Sequence, residues 1–270
     1  MFKYIGIRGH RGAGKNTISF LLGTAIDFYT KNGSWEGFDE IYNDAVDIAL
    51  NDETFLEDAD FVNVFFESFA DTAKIMLSQL FGIPSEYFYD DWRKDSIIVD
   101  MKTFTFIQPK DKLELQILKD RYALFTADDL YKLANDKSID SYNADIYTTL
   151  RELIAYFSKY VMQRSFGSNV WVKSLIVNKW EQERFYTGRG KTIYKIFTDC
   201  KFPSEVSYIY NNNGTIIKVN RENNIKEDTQ ISKELNLDSR FDYEINLDGD
   251  LMKDETKEDI KRLTLKIVEQ

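Results

Sequence analysis

The chain has 270 residues and a mass of 31.7 kDa, with 43% apolar and 15% aromatic residues, enough for one sizeable core and an inserted subdomain. Its formal charge of -10 and pI near 4.8 argue against a broad phosphate-backbone surface and hence against a nucleic-acid partner, while leaving room for a local basic pocket. One cysteine (Cys200) and one histidine (His10) exclude an internal disulfide and the usual zinc site, and the absence of a long apolar run or a signal-like start leads us to expect a cytoplasmic protein with no membrane partner.

Phe2-Lys3-Tyr4-Ile5-Gly6-Ile7 reads as a short buried strand, and Ile18, Leu21, Leu22, Ala25 and Phe28 then recur at helical spacing. Between them Gly9-His10-Arg11-Gly12-Ala13-Gly14-Lys15-Asn16-Thr17 forms a glycine-rich turn from strand into helix. The first N–H groups of that helix lack intrahelical partners and its aligned peptide dipoles add partial positive charge, so the turn suits a polyphosphate. Gly9, Gly12 and Gly14 let the phosphates approach the amides, and Arg11 and Ala13 complete the expected binding loop. Lys15 would set an ammonium between the terminal phosphates of a nucleoside triphosphate. Asn16 stands where the usual pattern has Ser or Thr; Thr17 is therefore the candidate hydroxyl on the magnesium side, with Asn16 as the substitute. His10 suits a solvent-facing or adenine-side contact better than acid-base chemistry.

Trp35 to Asp60 is irregular and acidic, with Ile41, Ala45, Ile48 and Ala49 marking a short helix that we expect to be peripheral. Val62 to Phe66 reads as a second strand, followed by a helical stripe of Ala70, Ala73, Met76, Leu77, Leu80 and Phe81 ending before Gly82 and Pro84. Ser85 to about Ser141 is rich in charged and aromatic residues and reads as an insertion, with a hairpin or extended arm around Val99 to Phe106. Helices are expected from about Thr148 to Val161 and from Asn169 to Glu183, flanking the sheet. Strands follow at Ile193 to Thr198, Thr215 to Val219 and Tyr243 to Leu247, then a last helix carrying Ile260, Leu263, Leu265, Ile267 and Val268. Alternating strands and helices predict an α/β fold with a mainly parallel sheet flanked by helices, like that of P-loop NTPases, with a mixed inserted subdomain. The expected division is 1–84 and 148–270 as the core and 85–147 as the acceptor-side insertion, with a lid segment at about 221–235.

In such sheets ligands collect beyond the carboxyl ends of the strands. Asp199, just after one strand, is placed to ligate magnesium or orient a magnesium-bound water. A turn or cap role is the competing reading for this residue. Phosphoryl transfer also needs cations around the moving phosphoryl and the acceptor phosphate, which arginine's rigid fork of donors suits. Arg151 and Arg164 are the leading pair, each also readable as a solvated surface arginine. Lys201 and Arg221 are further members of a cationic ring, and Asp71 and Lys74 are candidates for substrate contact, with helix capping the alternative for Asp71.

Several segments together resemble the deoxynucleoside monophosphate kinases of tailed bacteriophages: Phe69-Ala70-Asp71-Thr72-Ala73-Lys74, Arg151-Glu152-Leu153, Met162-Gln163-Arg164, Phe166-Gly167, Trp171-Val172-Lys173, Thr198-Asp199-Cys200-Lys201-Phe202-Pro203-Ser204-Glu205 and Ile217-Lys218-Val219-Asn220-Arg221. The likeness covers the two ends of the chain but not about Ser85 to Ser141. It implies ATP- and magnesium-dependent phosphorylation of a deoxynucleoside monophosphate to the diphosphate, feeding viral DNA synthesis in the host cytoplasm, with a homodimer as a further expectation. Lys201 stands where the family commonly has arginine, and no histidine precedes the Gln230-Ile231-Ser232-Lys233-Glu234 segment where the family commonly has one. Lysine does not reproduce a bidentate guanidinium contact, so these departures bear on acceptor choice and rate. The competing readings are a P-loop kinase of another small phosphorylated metabolite and a nucleotide-binding regulatory protein with little turnover.

Overall fold

The computed structural model describes residues 1–10, 12–52, 55–56, 58–136, 145–175, 191–221, 240–247, 251 and 254–269. In chain order the elements are β1 (Phe2–Arg8), α1 (Lys15–Asn32), α2 (Phe38–Asn51), β2 (Val64–Glu67), α3 (Asp71–Phe81), a 3-10 turn at Ser85–Phe88, α4 (Asp91–Ser96), β3 (Ile98–Asp100), β4 (Thr105–Ile107), α5 (Lys112–Arg121), β5 (Leu124–Phe125), α6 (Ala127–Asn135), β6 (Tyr147–Thr149) and α7 (Leu150–Tyr156). The last of these runs on as a π-helical stretch, Phe157–Gln163, and a final turn, Arg164–Phe166. Then come β7 (Ile193–Phe197), α8 (Pro203–Asn211), β8 (Thr215–Asn220), β9 (Tyr243–Asn246) and α9 (Asp254–Glu269). The helix expected from 169 to 183 is seen over 170–175, and 176–190 lie outside the described residues.

The chain divides into two compact units, one made of Met1–Phe69 with Val172–Gln270 and the other of Ala70–Trp171. The second unit therefore includes the 85–147 segment together with the helices on either side of it. In the first, five strands lie in the order β2-β7-β1-β8-β9, and every neighbouring pair is parallel. Both faces of β1 are covered, which explains its nearly unbroken apolar run. Ile5 and Ile7 enter the core shared with α1, α2 and α9, whereas Gly6 lies against Ile209 of α8 on the opposite face. On that face the rings of Tyr4, Phe69, Phe197 and Tyr208 interlock, with Phe69 and Phe197 stacked at 4.7 Å.

The acidic 35–60 stretch is not peripheral as its composition suggested. Phe38, Tyr42, Ala45 and Val46 of α2 are buried at helical spacing, and α2 packs along α1. Its acids occupy only the outer face, so the average charge concealed an apolar stripe.

The second unit holds a four-stranded mixed sheet, ordered β4-β3-β6-β5. The expected hairpin is present as the antiparallel β3/β4 pair, in register Val99 to Phe106, and β6 extends it while β5 joins β6 in parallel. Its core gathers Leu77, Phe81, Ile83, Phe88, Ile97, Val99, Leu150 and Leu153. Helix α7, expected beside the main sheet, buries Leu150 and Leu153 in this smaller core instead. Among the described residues no helix is long and apolar enough to cross a membrane.

Candidate functional site

Because the large sheet is wholly parallel, its loops after β1, β2, β7 and β8 all emerge at one edge, the edge that carries the glycine-rich turn. Glycine is required here for two separate reasons. A Cβ on Gly9 would lie 2.3 Å from the Val219 carbonyl oxygen, so the turn could not pass so close to β8. Gly14 caps α1 at φ 86°, a left-handed conformation that side chains resist. Between these two positions the Ala13 N–H donates to the His10 carbonyl at 3.2 Å, closing the turn.

Helix α1 begins at Lys15, whose Nζ folds back to donate to the carbonyls of Gly9 at 3.0 Å and His10 at 2.8 Å. The ammonium thus lies over the loop itself. Ala13 is buried, Gly14, Lys15 and Thr17 are half-buried, and Gly12 and Asn16 are exposed. Arg11 lies outside the described residues, as do 222–235 of the expected lid.

Asp199 follows β7 at the same edge. Its Oδ2 accepts from the Ser68 hydroxyl at 2.8 Å and its Oδ1 from the Phe69 N–H at 3.1 Å, both just past the end of β2. The next residue, Cys200, is buried and donates its N–H to the Ile7 carbonyl at 3.0 Å, tying the Asp199 turn to the central strand. Lys201 is exposed, and Arg221 follows β8, half-buried.

Glu205 is the residue here to which sequence reasoning assigned no role. It is 2% exposed, and its Oε2 accepts from the Lys201 N–H at 2.7 Å and the Phe202 N–H at 2.8 Å, holding the turn from Asp199 into α8. Burial, and then the neighbouring charge of Asp199, push its carboxyl up to about 8 against the pull of those two donors. A signal was present: Pro203 and Glu205 fall at the first and third positions of a helix, where a glutamate reaches back to the free amides.

The remaining candidates belong to the second unit. Arg151 on α7 donates from Nη2 to Asp91 Oδ1 at 2.9 Å and from Nε to Asp95. Lys74 pairs with Asp71 at 3.3 Å and lies 4.0 Å from the centre of the Tyr89 ring, whose hydroxyl also reaches Asp71 at 3.2 Å. Arg164 is elsewhere: its Nη1 donates to the Tyr131 hydroxyl at 2.8 Å, and Tyr131 stacks on Tyr160 at 4.2 Å. Arg151 and Arg164 stand at opposite ends of one continuous helical run, separated by roughly 15–20 Å of rise. The fold therefore does not bring the two guanidinium groups together. The π-helical turns before Arg164 half-bury Gln163, whose Nε2 meets no acceptor. Among the described residues no group of three or more His, Cys, Asp or Glu side chains could hold a metal alone. No protein-family model matches the chain, and comparison with curated proteins gives no match.

Proposed function

We propose that the chain is an ATP- and magnesium-dependent kinase that phosphorylates a deoxynucleoside monophosphate to the diphosphate. The observation that carries this reading is the Lys15 ammonium seated on the Gly9 and His10 carbonyls, in a glycine turn joining the central parallel strand to a helix N-terminus. Such a turn offers amides and one mobile cation to a triphosphate. On binding, Lys15 would leave the two carbonyls for the terminal phosphates, where negative charge gathers as the bond to the last phosphoryl breaks.

The residues present fit a magnesium ion bound together with phosphates. Asp199 is anchored by two hydrogen bonds at the same edge, and Thr17 stands in the first turn of α1. Magnesium takes few protein ligands and many from phosphate and water, and it would neutralise the triphosphate. Asp199 would orient that hydrated ion, with Glu205 keeping the Asp199 turn rigid behind it. The cations of the second unit, Arg151 and Lys74, would bind the acceptor phosphate. The sequence resemblance supplies the deoxynucleoside monophosphate as acceptor, and the kinase chemistry is a proposal of the site itself.

Incubating the protein with ATP, magnesium and each deoxynucleoside and ribonucleoside monophosphate, with products separated by chromatography, tests the reading. Diphosphate formation from a deoxynucleoside monophosphate is expected, and Lys15→Ala should lower turnover by at least about 100-fold with the fold intact. Transfer at the unaltered rate by Lys15→Ala, or the absence of any ATP binding by calorimetry, would overturn it.

A further inference from the structure

Three cations of the second unit converge from three different helices. Lys74 comes from α3, Lys94 from α4 and Arg151 from α7, and α7 packs against both of the others. All three side chains are largely covered, at 16%, 16% and 21% exposure respectively. One oxygen bridges two of them: Asp91 Oδ1 lies 2.9 Å from Lys94 Nζ and 2.9 Å from Arg151 Nη2. The Asp91 side chain is itself 63% exposed. The cations are therefore built into the unit, while the anion that joins them lies on its outer surface.

We propose that Lys74, Lys94 and Arg151 form a phosphomonoester site that Asp91 occupies with its own carboxylate until the ligand displaces it. The identification of that ligand as the acceptor's phosphate rests on the function proposed above; the anion site does not. Asp91 is the exposed partner of two largely covered cations, so water can reach its carboxylate once the ligand takes its place. A phosphate dianion brings a second charge and further acceptor oxygens, matching both the arginine fork and the lysine ammonium groups. The electrostatics agree. Burial lowers the Lys94 pKa against the opposite pull of Asp91, and the like charges of Arg151 and then Lys74 lower it further, so these cations repel one another across the site. Partial burial alone would raise Asp91, yet Lys94 and then Arg151 hold it below the usual carboxylate range. Asp95 accepts from the Arg151 Nε and, at 3.3 Å, from its Nη2, which fixes the guanidinium plane; the shorter Nη2 bond, 2.9 Å to Asp91, is the one the ligand would replace.

The test is calorimetric titration of the full chain with inorganic phosphate and then with a deoxynucleoside monophosphate, in a Lys15→Ala background that removes the glycine loop's ammonium from the measurement. Asp91→Asn should tighten phosphate binding by about 3- to 10-fold at low salt, because the amide no longer competes as an anion. Lys94→Gln should weaken it by at least about 10-fold, and Lys94→Arg should restore most of that loss. Circular dichroism checks folding, and Asp91→Ser replaces Asp91→Asn if the latter does not fold. Unchanged or weaker phosphate binding on removal of the Asp91 carboxylate, accompanied by lower thermal stability, would overturn the proposal and leave Asp91 as a structural bridge. ATP titration of the unaltered chain keeps the two readings apart: lost ATP binding with intact phosphate responses refutes the kinase alone, whereas ATP binding without the phosphate responses refutes only this site.

Discussion

Glu205 makes a pH-dependent contribution whose sign follows from its burial. A carboxyl pushed from its ordinary 4.5 up to about 8 keeps its proton in the folded chain after the unfolded chain has released its own. Between those two values the folded state binds more protons than the unfolded state, so stability falls as pH rises through the window and is flat on either side. At about 1.4 kcal/mol per pH unit the whole window sets a ceiling on the order of 5 kcal/mol. Glu205→Gln keeps a carbonyl oxygen for the Lys201 and Phe202 amides but titrates nothing. The variant should therefore gain on the wild type steadily as pH rises from 4.5 to 8, with a relative change on the order of 2–5 kcal/mol across the window. Urea unfolding followed by tryptophan fluorescence and circular dichroism at several pH values gives that difference directly, since all other groups titrate alike in both proteins. A wild-type-to-variant difference constant to within about 0.5 kcal/mol from pH 4.5 to 8 would refute the reasoning. Glu205→Ala supplies the contrast: it leaves two part-buried amides without this acceptor and should cost about 1–3 kcal/mol at every pH.

Other consequences follow from backbone and charge. Gly9→Ala forces a methyl against the Val219 carbonyl and should lower stability by at least about 2–3 kcal/mol, whereas Gly33→Ala, at φ 69° with nothing within 4 Å, should cost only about 1 kcal/mol; equal melting points would contradict the close approach. Lys195 and Glu67 form an ion pair at 3.3 Å with side chains 4% and 2% exposed. Lys195→Met should cost about 3–5 kcal/mol by removing the cation beside the buried glutamate, and adding Glu67→Leu should recover most of that loss; a double variant no more stable than the single one would show that the pair is not the source.

Some of this protein was legible in the chain alone, because the forces involved are local. A strand buried on both faces must be apolar throughout, so Phe2 to Ile7 announced β1, and the glycine spacing before Lys15 announced a turn that other residues could not make. The hairpin around Val99 and Phe106 was visible for the same reason, as alternation of period two. Where averages were read instead of stripes the inference failed: acidic residues hid the apolar face that buries Phe38 and Tyr42.

Tertiary structure decided what depends on which distant segments meet. Nothing in the spacing of Arg151 and Arg164 says that one binds Asp91 and Asp95 while the other turns to Tyr131, because that choice is made by how α4, α6 and α7 pack. Nor does the sequence tell that Lys94 and Lys74 come close enough to act on one another, or that burial, and then the charge of Asp199 six positions earlier, drives Glu205 to hold a proton. Periodicity and turn chemistry are written residue by residue, whereas charge acts through space, and its effect is set only once folding has fixed which groups are neighbours and how much water stays between them.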